Sequence, residues 1–73
     1  MKDIRVNDIV RVHLGATVQT RNPKRGPEYQ VQRSKKVKII KVEDGIVTWT
    51  GSGAYPCTAA IEDVSLAHRP VML

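Results

Sequence analysis

The chain has 73 residues and a mass of 8.1 kDa, enough for one small domain, and carries 12 Lys and Arg against 7 Asp and Glu, a net charge of +5. A chain of this size buries only roughly 60% of its unfolded surface, and a dinucleotide-binding βαβ unit alone takes about 30 residues, so a multi-domain machine and a large cofactor crevice are excluded. No apolar run approaches the ~18–20 residues of a bilayer-spanning helix, and the single Cys57 excludes an internal disulfide and a cysteine-based zinc site.

Sixteen residues are Val or Ile, and their period-2 placement argues for strands, because branched side chains pack well on a pleated surface. Asp3 and Asp8 interrupt the start where an export signal needs an apolar stretch, so the expected location is cytoplasmic. Arg5-Val6-Asn7-Asp8 reads as a polar turn into a first strand. In that strand Val10, Val12 and Leu14 form one face, Ile9, Arg11 and His13 form the other, and Gly15 closes it. Residues 16–34 hold the turn dipeptides Asn22-Pro23 and Gly26-Pro27, which predict one long excursion. It is expected to be a loose hairpin with Tyr29-Gln30-Val31-Gln32 as its second arm and a mobile loop over about residues 19–30, its tip at 21–27.

Lys35 to Val42 is the second firm strand, but its parity switches: Val37 and Ile39 share one face, Ile40 and Val42 the other. Either a bulge intervenes or the strand bends enough to serve two sheets. Glu43-Asp44-Gly45 carries an Asp-Gly hairpin signal. Ile46 to Thr50 is the returning strand, with Val47 and Trp49 on one side and Trp49 read as a core anchor. Gly51-Ser52-Gly53 breaks it, and Ala54 to Thr58 is expected to pair only as a short strand with Pro56 at an edge. Ile61 and Val64 stand three apart, the repeat of a single helical or 3-10 turn. Ser65 to His68 is a last short strand, and residues 69–73 are expected to form a tail unless their three apolar residues dock on a partner.

Five short strands, a long first loop, a tight central hairpin and a one-turn helix before the final strand resemble the SH3-like small barrels of the KOW and Tudor types. Their pattern often begins with a polar turn and strand like Asn7-Asp8-Ile9-Val10-Arg11-Val12 and ends with a segment like Ile61-Glu62-Asp63-Val64-Ser65-Leu66. The resemblance spans about residues 5–68. It implies an all-β, five-stranded SH3-like barrel with a long first loop and a one-turn 3-10 helix before the last strand, in a single domain over residues 1–73. Size and composition also resemble the accessory proteins of bacteriophages and mobile elements. The stretch from Tyr55-Pro56 to Ala60-Ile61-Glu62 is similar to the end of plasmid-borne type II dihydrofolate reductases. Those enzymes line their pore with Gln-Ile-Tyr, whereas Gly53-Ala54 precedes Tyr55 here, so the reductase activity does not carry over.

Enzymatic constellations are missing from the sequence. His13 and His68 are the only imidazoles, and the candidate nucleophiles are Cys57, Ser34, Ser52 and Ser65. A Cys57–His68 pair has no visible third group to orient it. Gly51-Ser52-Gly53 lacks the Gly and Lys of a phosphate-cradling loop. The adjacent acids Glu43-Asp44 and Glu62-Asp63 would point to opposite faces of a strand. No catalytic residue, metal ligand or cofactor is expected.

The charge points elsewhere. Residues 1–18 carry a net +1, residues 42–73 a net −3, and residues 19–41 a net +7, with eight bases against Glu28 alone. Phosphate contacts call for flexible cations on one surface, and Arg21, Lys24, Arg25, Arg33, Lys35, Lys36 and Lys38 supply them. Tyr29 is the candidate stacking ring, but with no Phe the aromatic interleaving of single-strand binders is thin. The expected function is therefore binding of DNA or RNA through residues 21–41, chiefly by phosphate contacts and with weak sequence preference. The alternative is a protein-interaction module that binds an acidic partner, or self-associates through an apolar patch of Ile40 and Val42.

Overall fold

The strand-forming pattern is realised through most of the described residues. In the computed structural model, which describes residues 2–71, the strands are β1 (Ile9–Val12), β2 (Thr17–Thr20), β3 (Glu28–Gln30), β4 (Lys35–Lys38), β5 (Lys41–Glu43), β6 (Ile46–Thr50), β7 (Pro56–Ala60) and β8 (Val64–His68). Short 3-10 turns occupy Ser52–Ala54 and Ile61–Asp63. The eight strands form two antiparallel sheets, ordered β4-β1-β8 and β3-β2-β7-β6-β5. The all-β class and the turn before the last strand are as expected. The count of five strands and the single closed barrel are not: strands pair within two separate sheets, and two of the expected segments are each divided.

The first division is in the excursion. Thr17, Val18 and Gln19 pair with Gln30, Tyr29 and Glu28, so both ends of the expected 19–30 loop are strand. Val18 and Val31 are buried and hold this hairpin on the core. Its tip is closed by Asn22, whose carbonyl accepts from Arg25 N–H at 3.0 Å and Gly26 N–H at 2.6 Å, while its side-chain Oδ1 accepts from Lys24 N–H at 2.9 Å. The turn doubles back so closely that a Cβ on Gly26 would lie 2.6 Å from the Thr20 carbonyl oxygen.

The second division resolves the parity switch. β4 pairs with β1 in one sheet, and β5 pairs with β6 in the other. Between them Ile39 donates its N–H to the Asp8 carbonyl at 2.9 Å and accepts from Asn7 N–H at 2.7 Å, whereas Ile40 donates to the Thr48 carbonyl at 2.8 Å. Consecutive residues thus bond to different sheets. The strand bends, and the bulge alternative falls away. Ile39 is fully buried, Ile40 is 49% exposed, and Val42 returns to pack against the core.

Two further expectations are corrected. Leu14 does not share the buried face of Val10 and Val12, because β1 stops at Val12 and the Leu14-Gly15 turn swings it outward to 64% exposure. β7 is no edge strand: it lies between β2 and β6, since the excursion folds back onto its free side. Pro56 is accommodated because it is the first residue of the strand, where a missing N–H costs least.

The β5–β6 hairpin needs glycine. Asp44 and Gly45 have φ of 51° and 75°, the left-handed pair of a type I′ turn. An added Cβ at Gly45 would meet nothing within 4 Å, so the cost of Gly45→Ala is conformational alone. Chemical denaturation should show Gly45→Ala less stable by about 1–2 kcal/mol.

The core is built from Val10, Val12, Val18, Ile39, Val47, Trp49, Ile61 and Val64, all fully buried or nearly so. Trp49 is the anchor the alternation implied, 1% exposed, with its indole Nε1 unpartnered among the described residues. Arg69, expected to begin a loose tail, is held instead. Its guanidinium donates from Nε to Asp8 Oδ1 at 2.9 Å and from Nη2 to Asp8 Oδ2 at 2.8 Å, and Asp8 Oδ2 also accepts from Arg5 N–H at 2.8 Å. A buried carboxylate requires such partners. Met72 and Leu73, at the apolar end of that tail, lie outside the described residues.

Candidate nucleic-acid interface

Alternation along β4 separates cations that adjoin in sequence. Lys36 and Lys38 project outward from the three-stranded sheet, about 6.6 Å apart along the strand. Lys36 stands opposite Arg11 on β1, and Lys38 opposite Ile9. All three cations, Arg11, Lys36 and Lys38, are exposed, and Arg11 donates from Nη1 to Ser34 Oγ at 3.2 Å. Arg11 belongs to this surface although the basic run that points to it begins only at Arg21. Its outward position was already legible in the Ile9, Arg11, His13 face of the first strand.

Lys35 stands opposite the buried Val12 and therefore turns toward the core side. There its Nζ donates to the Tyr29 hydroxyl at 3.2 Å and lies 5.6 Å from the ring centroid. The Arg25 guanidinium carbon lies over the same ring at 4.3 Å, a close cation–π contact. Tyr29 is half-buried and packs against the core, so its ring is a seat for cations and not an open platform for a base. Arg25, Tyr29, Gln30, Gln32, Arg33 and Lys35 line one shallow depression of about 490 Å³.

The remaining predicted residues lie apart. Arg21 lines a different depression of about 720 Å³, together with Gln19, Pro27, Glu28 and Thr58. Lys24 sits exposed at the hairpin tip. The eight predicted positions thus divide into the hairpin notch, the outer face of the three-stranded sheet, and two outlying cations, where the sequence suggested one surface.

Electrostatically the two groups share one property. Among the described residues the ion pairs are Arg5–Asp3, Lys41–Glu43, Arg69–Asp3 and Arg69–Asp8. Of the basic run, Lys41 alone has a carboxylate of the described residues within 4.0 Å; Arg21, Lys24, Arg25, Arg33, Lys35, Lys36 and Lys38 have none among them, and neither has Arg11. Like charges gathered without counter-charge repel one another, and an incoming anion relieves that repulsion.

The side chains considered for catalysis are arranged differently from the sequence reading. Cys57 is buried on β7 and His68 is exposed on β8, in different sheets, so that pair does not form. His13 instead approaches Ser65, with Nε2 and Oγ 2.6 Å apart across β1 and β8. Nothing in the spacing of positions 52 apart announced this contact. Among the described residues no group of three or more His, Cys, Asp or Glu stands together, and no helix is long and apolar enough to cross a membrane. Of the expected patch of Ile40 and Val42, Ile40 is 49% exposed, whereas Val42 is half-buried and packs against the core.

No protein-family model, curated protein sequence or solved structure matches this chain.

Proposed function

We propose that the chain is a non-enzymatic nucleic-acid-binding module of SH3-like type that grips phosphates with the cations of β1, β4 and the β2–β3 hairpin. The SH3-like reading is supported by the order of elements: a long first hairpin, a strand bent between two sheets, a tight hairpin, and a 3-10 turn feeding the last strand. The binding reading is carried by one observation, the array of exposed cations with no carboxylate within 4.0 Å among the described residues. Surface cations of this kind act through counterion release, which is insensitive to base sequence and steeply dependent on salt.

The test is fluorescence anisotropy of labelled DNA and RNA, titrated with protein between about 50 and 200 mM salt. Saturable binding is expected, with a log–log salt slope of several units. Replacing Arg11, Lys36 and Lys38 together by Ala should weaken binding uniformly across sequences and flatten the duplex slope by about 2 to 3, at about 0.9 per phosphate contact. The three side chains are exposed, so the circular dichroism spectrum should not change. An unchanged slope in the triple variant, or no binding by the wild type at the low-salt end, would overturn the proposal.

A further inference from the structure

The hairpin notch has a composition that phosphate contacts alone do not call for. Arg25, Arg33 and Lys35 line it with no acid, but so do the amides of Gln30 and Gln32, and its volume is about 490 Å³. That is the size range of a small-molecule site, larger than a phosphate group requires. The Arg25 guanidinium rests 4.3 Å above the Tyr29 ring, and Arg25 itself is exposed. Tyr29 is in turn fixed by the 3.2 Å hydrogen bond from Lys35 and by its packing on the core. The planar, weakly hydrated group offered to solvent is thus the guanidinium, seated over the ring at 4.3 Å. Bases of single strands stack on Arg planes as they do on aromatic rings.

We infer that the notch seats one unstacked nucleotide of a single strand, its base on Arg25 and its phosphate on Arg33 and Lys35. Gln30 and Gln32 face the base edge, where an amide pairs with complementary donors and acceptors. A duplex keeps its bases stacked and gains nothing from such a seat. This inference rests on the nucleic-acid reading above and adds strand type to it: the outer sheet face supplies affinity for any phosphate backbone, and the notch favours single strands.

Arg25→Lys keeps the charge and removes the plane, at an exposed position where the fold does not depend on it. By anisotropy with a labelled oligothymidine and a duplex of equal length, R25K should lose about fivefold or more in affinity for the single strand and change the duplex little. An equal loss on both, or on neither, overturns the nucleotide seat while leaving the general binding intact. Absence of wild-type binding to either form at low salt overturns the underlying reading as well. A second measurement needs no variant. In NMR titrations of the wild type, adenosine monophosphate should shift the side-chain amides of Gln30 and Gln32, whereas inorganic phosphate should shift only the signals of Arg33 and Lys35. Identical shifts with both probes reduce the notch to an anion site, and no shift with either removes it.

Discussion

Truncating Ile39 to Ala should lower the free energy of unfolding by about 2–5 kcal/mol, whereas the same truncation at the adjacent Ile40 should change it by no more than about 0.5 kcal/mol. The contrast follows from the bend. Ile39 is completely buried where β4 leaves the three-stranded sheet, and Ile40, the next residue, is 49% exposed where β5 begins to join the other. Both backbones stay hydrogen-bonded in either variant, since their partners are the main chains of Asp8, Asn7 and Thr48. What Ile39→Ala loses is apolar contact in the core where the chain passes from β4 in one sheet to β5 in the other. Total stabilities run to about 5–15 kcal/mol, and a domain this small belongs near the lower limit, so Ile39→Ala should sit at the edge of folding. Urea denaturation followed by the emission of Trp49, the only tryptophan, gives both midpoints. Equal midpoints for the two variants would place the bend elsewhere.

The second large effect belongs to acid. Asp8 is 2% exposed, but it lies beneath a guanidinium whose own side chain is 34% exposed, so it is covered by Arg69 more than by depth. The hydrogen bonds from Arg69 are the main reason its pKa falls below the usual carboxylate range; desolvation opposes them, and the Arg5 N–H and the charges of Arg69 and Arg5 assist. A carboxyl whose pKa is lower folded than unfolded binds more protons in the unfolded state. Its stabilisation is therefore complete above the unfolded value of about 3.9 and is lost as pH falls through the native value. Asp8→Asn should be less stable than the wild type by about 1–3 kcal/mol near neutral pH, the worth of charge-assisted hydrogen bonds. The gap should close below about pH 4, where the wild type alone loses this contribution. Thermal unfolding across pH 2–7 (a span of about five units) shows this directly, and parallel curves for the two proteins would refute it.

That latch illustrates what a reading along the chain misses. Asp8 and Arg69 are 61 positions apart, and nothing near Arg69 distinguishes it from a solvated tail residue. The same holds for Leu14, whose parity with Val10 and Val12 is correct but irrelevant once the strand has stopped. It holds for the cations too. Lys35, Lys36 and Lys38 read as one cluster, yet Lys35 props Tyr29 while Lys36 and Lys38 join Arg11 on the outer face. The excursion was legible as a hairpin with its second arm at residues 29–32, but its first arm, Thr17-Val18-Gln19-Thr20, was not, because it holds a single apolar residue and pairs on its far side with β7, distant in the chain.

By itself the sequence determined what depends on neighbours two to four residues away. The alternation of Val10 with Val12 and of Val47 with Trp49, the left-handed Asp44-Gly45 turn, and the three-residue step from Ile61 to Val64 each follow from local geometry, and each is present in the fold. The same is true of the net positive charge of residues 19–41, which no folding can alter. Only the tertiary structure decided between a bulge and a bend at Ile39, lodged Arg69 on Asp8, and divided the basic run between a sheet face and a notch. In each case the outcome turns on which backbone or carboxylate lies opposite, and that partner is set by sheet pairing across tens of residues.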